Sequence, residues 1–140
     1  MSRYVVGASV AIKWFVPESR SAAAGRLLEG EHELLAPDLA VIELGALLSK
    51  KIRLGEISDK EARDILAGLH AVPLRIEQCT NLLELAFEVG DDLELDFYDS
   101  IYVAMAIRTA TPLVTADREL HEALRGGPYD KNIVWVEDVP

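Results

Sequence analysis

The apolar positions change period along the chain. "RYVV" (Arg3 to Val6) is a short, near-continuous apolar run, as a strand buried on both faces requires. From Ala8 to Trp14 the spacing predicts a short helix that stops near Pro17, and Ser19 to Leu28 reads as another. Glu33 to Ala36 reads as a short strand. Asp38 to Leu54 reads as a long helix, with Gly55 in the position of a left-handed cap. "SDKE" at Ser58 to Glu61 is a capping box, which opens a helix running to about Ala71. Leu74 to Ile76 reads as a strand, and Thr80 to Val89 as a helix closed by Gly90. Phe97 to Arg108 follows as a helix, "PLVT" (Pro112 to Thr115) as a strand, Arg118 to Leu124 as a helix and Ile133 to Val136 as a last strand. Strands alternating with helices predict a parallel sheet of four to five strands, covered on both faces. Such sheets carry their sites outside the carboxyl ends of the strands. Gly7 falls at one such end, and Thr115 and Asp117 at another.

At 140 residues, half of them apolar, the chain is expected to form one domain, 1–140. A domain of this size buries roughly 68–70% of its unfolded surface. No apolar run approaches the ~20 residues of a membrane span, and the first residues lack the layout of a signal peptide. The one cysteine, Cys79, cannot form an internal disulfide, so a reducing, cytoplasmic setting is expected. The formal net charge of −10 argues, taken alone, against a nucleic-acid partner. Clustered acids can hold cations, however, and cations can bridge to an anionic substrate. Glu88, Asp91, Asp92, Glu94, Asp96 and Asp99 crowd one stretch, and most of that run reads as a solvated loop.

Glu43 is the most informative residue. It lies in "LAVIELGALL", where no other residue is charged, with Leu39 and Leu47 at i±4. A carboxylate on an apolar face must be paired, protonated or bound to a cation. Asp99 lies three residues after Asp96, a good N-cap, in the first turn of its helix, where the dipole favours an acid on structural grounds alone. Asp117 in "LVTADREL" also reads as an N-cap. Two capping acids near strand ends, together with Glu43, form a candidate site for a hard divalent cation such as Mg²⁺. His32, His70 and His121 show no zinc spacing, and neither a dinucleotide fingerprint nor a Walker A sequence occurs. The nine aromatics read as core, with Tyr98 and Tyr102 an i,i+4 pair. "GASVA" after a strand is also the context of a nucleophile elbow, with Ser9 as nucleophile and His121 as base, although Ala11 replaces its second glycine.

Together these segments resemble the PIN-domain ribonucleases, in particular the VapC toxins of toxin–antitoxin pairs. "YVVGASVAIKWFVPE", "APDLAVIELGALLSKKIRLGEIS", "FYDSIYVAMA" and "PLVTADREL" stand in the family's order over nearly the whole chain. The resemblance implies a three-layer α/β/α sandwich and Mg²⁺- or Mn²⁺-dependent cleavage of RNA. It makes Asp99 a direct metal ligand and gives Glu43 a second ion or the attacking water. Asp117 completes the pocket, Ser9 and Thr115 bring hydroxyls to its edge, and Lys13 and Arg118 are candidates for phosphate contact. A cognate antitoxin and a second copy of the chain are the implied partners. One position departs from the family: its opening motif carries an aspartate where this chain has Gly7. That loss removes a principal metal ligand, so weak metal binding and little or no nuclease activity are expected. A non-catalytic module that binds antitoxin or RNA is the alternative, and a Ser9 hydrolase a remote one.

Overall fold

The computed structural model describes residues 2–140. Five parallel strands form one sheet in the order β3-β2-β1-β4-β5. They are β1 (Ser2–Val6), β2 (His32–Pro37), β3 (Leu74–Glu77), β4 (Leu113–Thr115) and β5 (Ile133–Trp135). Helices cover both faces, so the expected α/β/α sandwich is the observed one. They are α1 (Ala8–Ala11), α2 (Ser21–Glu29), α3 (Leu39–Arg53), α4 (Asp59–Leu69), α5 (Leu83–Leu93), α6 (Phe97–Thr109) and α7 (Arg118–Leu124). The first continues as a 3₁₀ turn over Ile12–Trp14.

The strand order explains where a site can form. The chain leaves β1 toward β2 on one side and later returns to β4 on the other. The carboxyl ends of β1 and β4 therefore flank a switch point, the place where such sheets leave a crevice. Val6 pairs with Val114, so the chain turns off β1 at Gly7 beside the end of β4 at Thr115. Two apolar clusters support this frame. One joins the sheet to α2, α5, α6 and α7. The other joins α1, α3 and α4 through Ala8, Ile12, Leu44, Leu48, Ala62 and Leu69. The near-complete burial of α6, from Ser100 to Ala106, holds that helix against β1, β2 and β4.

Local signals behave as expected at several ends. Ser58 Oγ accepts from the Glu61 amide at 3.0 Å, and the Glu61 carboxylate accepts from the Ser58 amide at 3.1 Å, which completes the capping box of α4. Gly55 has φ +73° just past α3, a conformation that L side chains rarely adopt. Gly90 behaves differently. The helix runs through it to Leu93, and Glu94 takes the left-handed position at φ 54°. A Cβ on Gly90 would stand 2.9 Å from Ser100 Oγ, so this glycine lets α5 and α6 approach closely. The acidic run is solvated but mostly helical: Glu88, Asp91 and Asp92 lie on the exposed face of α5. Tyr98 is 55% exposed and is not core, whereas Tyr102 is buried.

Candidate active site

A cleft of about 420 Å³ opens at the switch point between β1 and β4, walled by α1, α3, α6 and the start of α7. Gly7, Ser9, Glu43, Asp99, Thr115 and Asp117 all line it. Helix α3 delivers Glu43 because Leu44 and Leu48 turn the opposite face into the core, at 1% and 2% exposure. Helix α6 delivers Asp99 from its first turn. Asp96 caps that helix by accepting from the Tyr98 amide at 2.9 Å.

The three acids differ in what already occupies them. Asp99 is half-buried and makes no side-chain hydrogen bond among the described residues. Burial, and then the nearby charges of Asp96, Asp117 and Glu43, push its carboxyl up to about 6. Glu43 accepts a hydrogen bond from the Tyr102 hydroxyl at 2.5 Å. Burial, and then that carboxylate, hold the Tyr102 phenol well above its ordinary range. Asp117 is turned toward its own helix: Oδ1 accepts from the amides of Glu119 at 3.0 Å and Leu120 at 3.3 Å. Its amide donates to Thr115 Oγ1 at 3.0 Å, so the Thr115 hydroxyl braces the strand-to-helix turn.

Gly7 is buried and extended, with φ −108° and ψ 177°, a conformation open to any residue. Backbone freedom therefore does not call for glycine here. A Cβ at this position would lie 3.1 Å from Cε1 and 3.2 Å from Cζ of Tyr102. The tyrosine ring thus packs against the bare Cα, and a side chain there requires the ring to shift by a few tenths of an ångström.

The other candidates are engaged elsewhere. Lys13 Nζ pairs with Glu18 at 3.0 Å, beside a neighbouring hollow that Ser9 and Asp117 also border. The Arg118 guanidinium lies over the Trp135 ring, 4.6 Å from its centroid. His121 packs on Trp135, with ring centroids 5.7 Å apart. No hydrogen bond joins Ser9 to His121 among the described residues, so the arrangement a serine hydrolase needs is not assembled. Three further polar residues border this cleft without a local signal in the sequence that marks them as site residues. Tyr102 read only as core, and Lys50 and Arg53 also line the cleft. Lys50 and Arg53 follow Glu43 by seven and ten residues, a helical spacing that places all three on one face of α3.

The acids thus gather in a crevice outside the carboxyl ends of a parallel sheet, the place where open α/β sheets bind their ligands. Residues 4–125 match the PIN domain family. The chain belongs to that family, in its VapC branch. It is 34% identical over 122 residues to Ribonuclease VapC3 of Pyrobaculum aerophilum, covering 86% of this chain and 93% of that one. A crystal structure of PAE2754, also from Pyrobaculum aerophilum, superposes with a TM-score of 0.72 at 26% identity, over 97% of this chain and 85% of that one. A toxin–antitoxin complex from Klebsiella pneumoniae shares the fold, with a TM-score of 0.65 at 14% identity, over 97% of this chain and 99% of that one.

The donor set does not fit a closed cation site. No group of three or more His, Cys, Asp or Glu side chains that could hold a metal ion occurs among the described residues. Gly7 brings no side-chain oxygen and its carbonyl already accepts from the amides of Val10 and Ala11, Asp117 spends one oxygen on its cap, and Glu43 is tied to Tyr102.

Proposed function

We propose that this chain is an RNA-directed PIN endoribonuclease scaffold of a toxin–antitoxin pair, and that Gly7 leaves it weak or inactive as a nuclease. The scaffold reading rests on its VapC relatives and on the acidic cleft at the switch point. The impairment rests on one observation: the β1 end, where the family resemblance calls for an aspartate, carries a glycine whose backbone needs none of glycine's freedom. With Asp99 the one acid not already hydrogen-bonded, and no side chain at Gly7, Mg²⁺ or Mn²⁺ is held weakly. Asp99, Glu43 and Asp117 then confront an incoming phosphate with like charge, and cleavage is slow. An antitoxin partner is in keeping with the structural likeness to a toxin–antitoxin complex. A homodimer and a cytoplasmic setting complete the proposal. No helix among the described residues is long and apolar enough to cross a membrane.

The same glycine favours a second reading, a non-catalytic module that keeps the fold and binds antitoxin or RNA. Digestion of single-stranded RNA by a Gly7→Asp variant, with Mn²⁺ or with EDTA, separates the two. The scaffold reading predicts cleavage that needs Mn²⁺ and disappears when Asp99→Asn is added. Intact RNA in every lane, from a variant that is folded, overturns it.

A further inference from the structure

The cleft has two electrostatic ends. Half-buried Asp99 and Glu43 line it at one end, and exposed Lys50 and Arg53 line it from the last turns of α3. On an α-helix these cations stand ~10 Å and ~15 Å along the axis from Glu43.

They are also unusual within this chain. Only 14 Lys and Arg stand against 24 Asp and Glu, and most of those cations are ion-paired. Lys51, the immediate neighbour, is shared between Glu18 at 3.5 Å and Glu56 at 3.2 Å. Lys50 and Arg53 have no carboxylate partner among the described residues, and both are exposed. Arg53 Nη1 donates to Ser49 Oγ at 2.9 Å, which steadies the side chain and leaves other N–H groups of the guanidinium free. Complementing the dipole at the end of α3 accounts for cations in its last turn. It does not require two of them to border the acidic cleft unpaired.

We infer that Lys50 and Arg53 form the phosphate-gripping lip of the cleft. They would hold the backbone of a single-stranded RNA a short way from the phosphodiester presented to Asp99 and Glu43. This rests on the proposed ribonuclease scaffold and adds where its substrate is gripped. Arg supplies a planar fork that matches a phosphate, and Lys a mobile point charge. In a chain of net charge −10, such a lip supplies local attraction that the acidic end cannot.

The test uses the chain as it stands, with EDTA present so that nothing is cut. Binding of a fluorescein-labelled single-stranded RNA of mixed sequence is followed by anisotropy between about 50 and 200 mM salt. The Lys50→Gln/Arg53→Gln variant is expected to bind about tenfold more weakly at the low-salt end. Its slope of log K against log salt should be shallower by about 1.4, since each single-strand phosphate contact contributes about 0.7. A Lys60→Gln/Arg63→Gln variant makes the same change in net charge on α4 and should match the unaltered chain. If both double variants match the unaltered chain, or weaken equally, the lip assignment is wrong while RNA binding stands. A role for the pair in holding an acidic protein segment would give the first of these results. If the unaltered chain binds no RNA at any salt, the lip fails; cleavage by Gly7→Asp then decides separately whether the scaffold reading survives.

Discussion

Replacing Asp99 by Asn should make the protein more stable at neutral pH, although it removes a central acid of the cleft. Asp99 is half-buried, and its carboxyl lies at about 6 instead of the usual 3.8, because of burial and the charges of Asp96, Asp117 and Glu43. The folded state therefore binds this proton more tightly than the unfolded chain does. Between about 3.8 and 6 the folded protein holds the extra proton, and stability falls as pH rises. Above about 6 the penalty is complete. At 1.36 kcal/mol per pH unit, the rise corresponds to about 3 kcal/mol, and screening by the solvent that reaches the cleft trims this to roughly 1–3 kcal/mol. The assay is urea unfolding of both proteins in EDTA from pH 4.5 to 8, read as the difference in unfolding free energy. The difference should be small at the acid end, grow through pH 6 and level off in favour of the variant. A variant that is equally or less stable at pH 7.5, with an unchanged m-value, would refute the picture of Asp99 as an uncompensated carboxylate.

Other expectations follow from single contacts. Tyr102→Phe removes the 2.5 Å hydrogen bond to Glu43 and should cost about 1–2 kcal/mol in the same assay; no loss would mean that the contact is dispensable. Gly90→Ala places a methyl 2.9 Å from Ser100 Oγ, whose hydroxyl donates to the Asp96 carbonyl, and should destabilise by about 1–3 kcal/mol despite alanine's better helix propensity. A stabilised variant would show instead that Ser100 yields to the methyl and that helix propensity decides the outcome. Ser58→Ala should cost about 1 kcal/mol through loss of the capping box, measurable as a lower urea midpoint.

These cases mark how far the sequence could be read. Strands, the capping box and Gly55 were legible because their causes lie within a few residues: apolar runs, a Ser with Glu three places on, a glycine at a helix end. Gly90 carried the same local mark as Gly55, yet its cause is the approach of a second helix at Ser100, which no local pattern contains. Tyr102 read as core by its spacing, and the ring is buried. Its hydroxyl partner lies 59 residues away in the chain, so the bond that ties it to Glu43 emerges only when α3 and α6 meet. Glu43 itself was conspicuous as the one charge in an apolar helix stretch. Lys50 and Arg53 could have been found by following its face onward by seven and ten residues. Gly7 was legible only by comparison with a family pattern, since a glycine after a strand is ordinary turn chemistry taken alone.

The central proposal is that Gly7 deprives this cleft of a metal ligand, which the fold can take back once the Tyr102 ring shifts by a few tenths of an ångström. Calorimetric titration of Mn²⁺ into the chain and into its Gly7→Asp variant, at one pH and salt, tests it most directly. Loss of even an outer-shell partner of a metal ligand costs 10–100-fold in affinity, so restoring a direct ligand should tighten binding by at least about 100-fold. Weak or undetectable heat is expected for the unaltered chain and saturable binding for Gly7→Asp. Equal, tight Mn²⁺ binding by both proteins would contradict it.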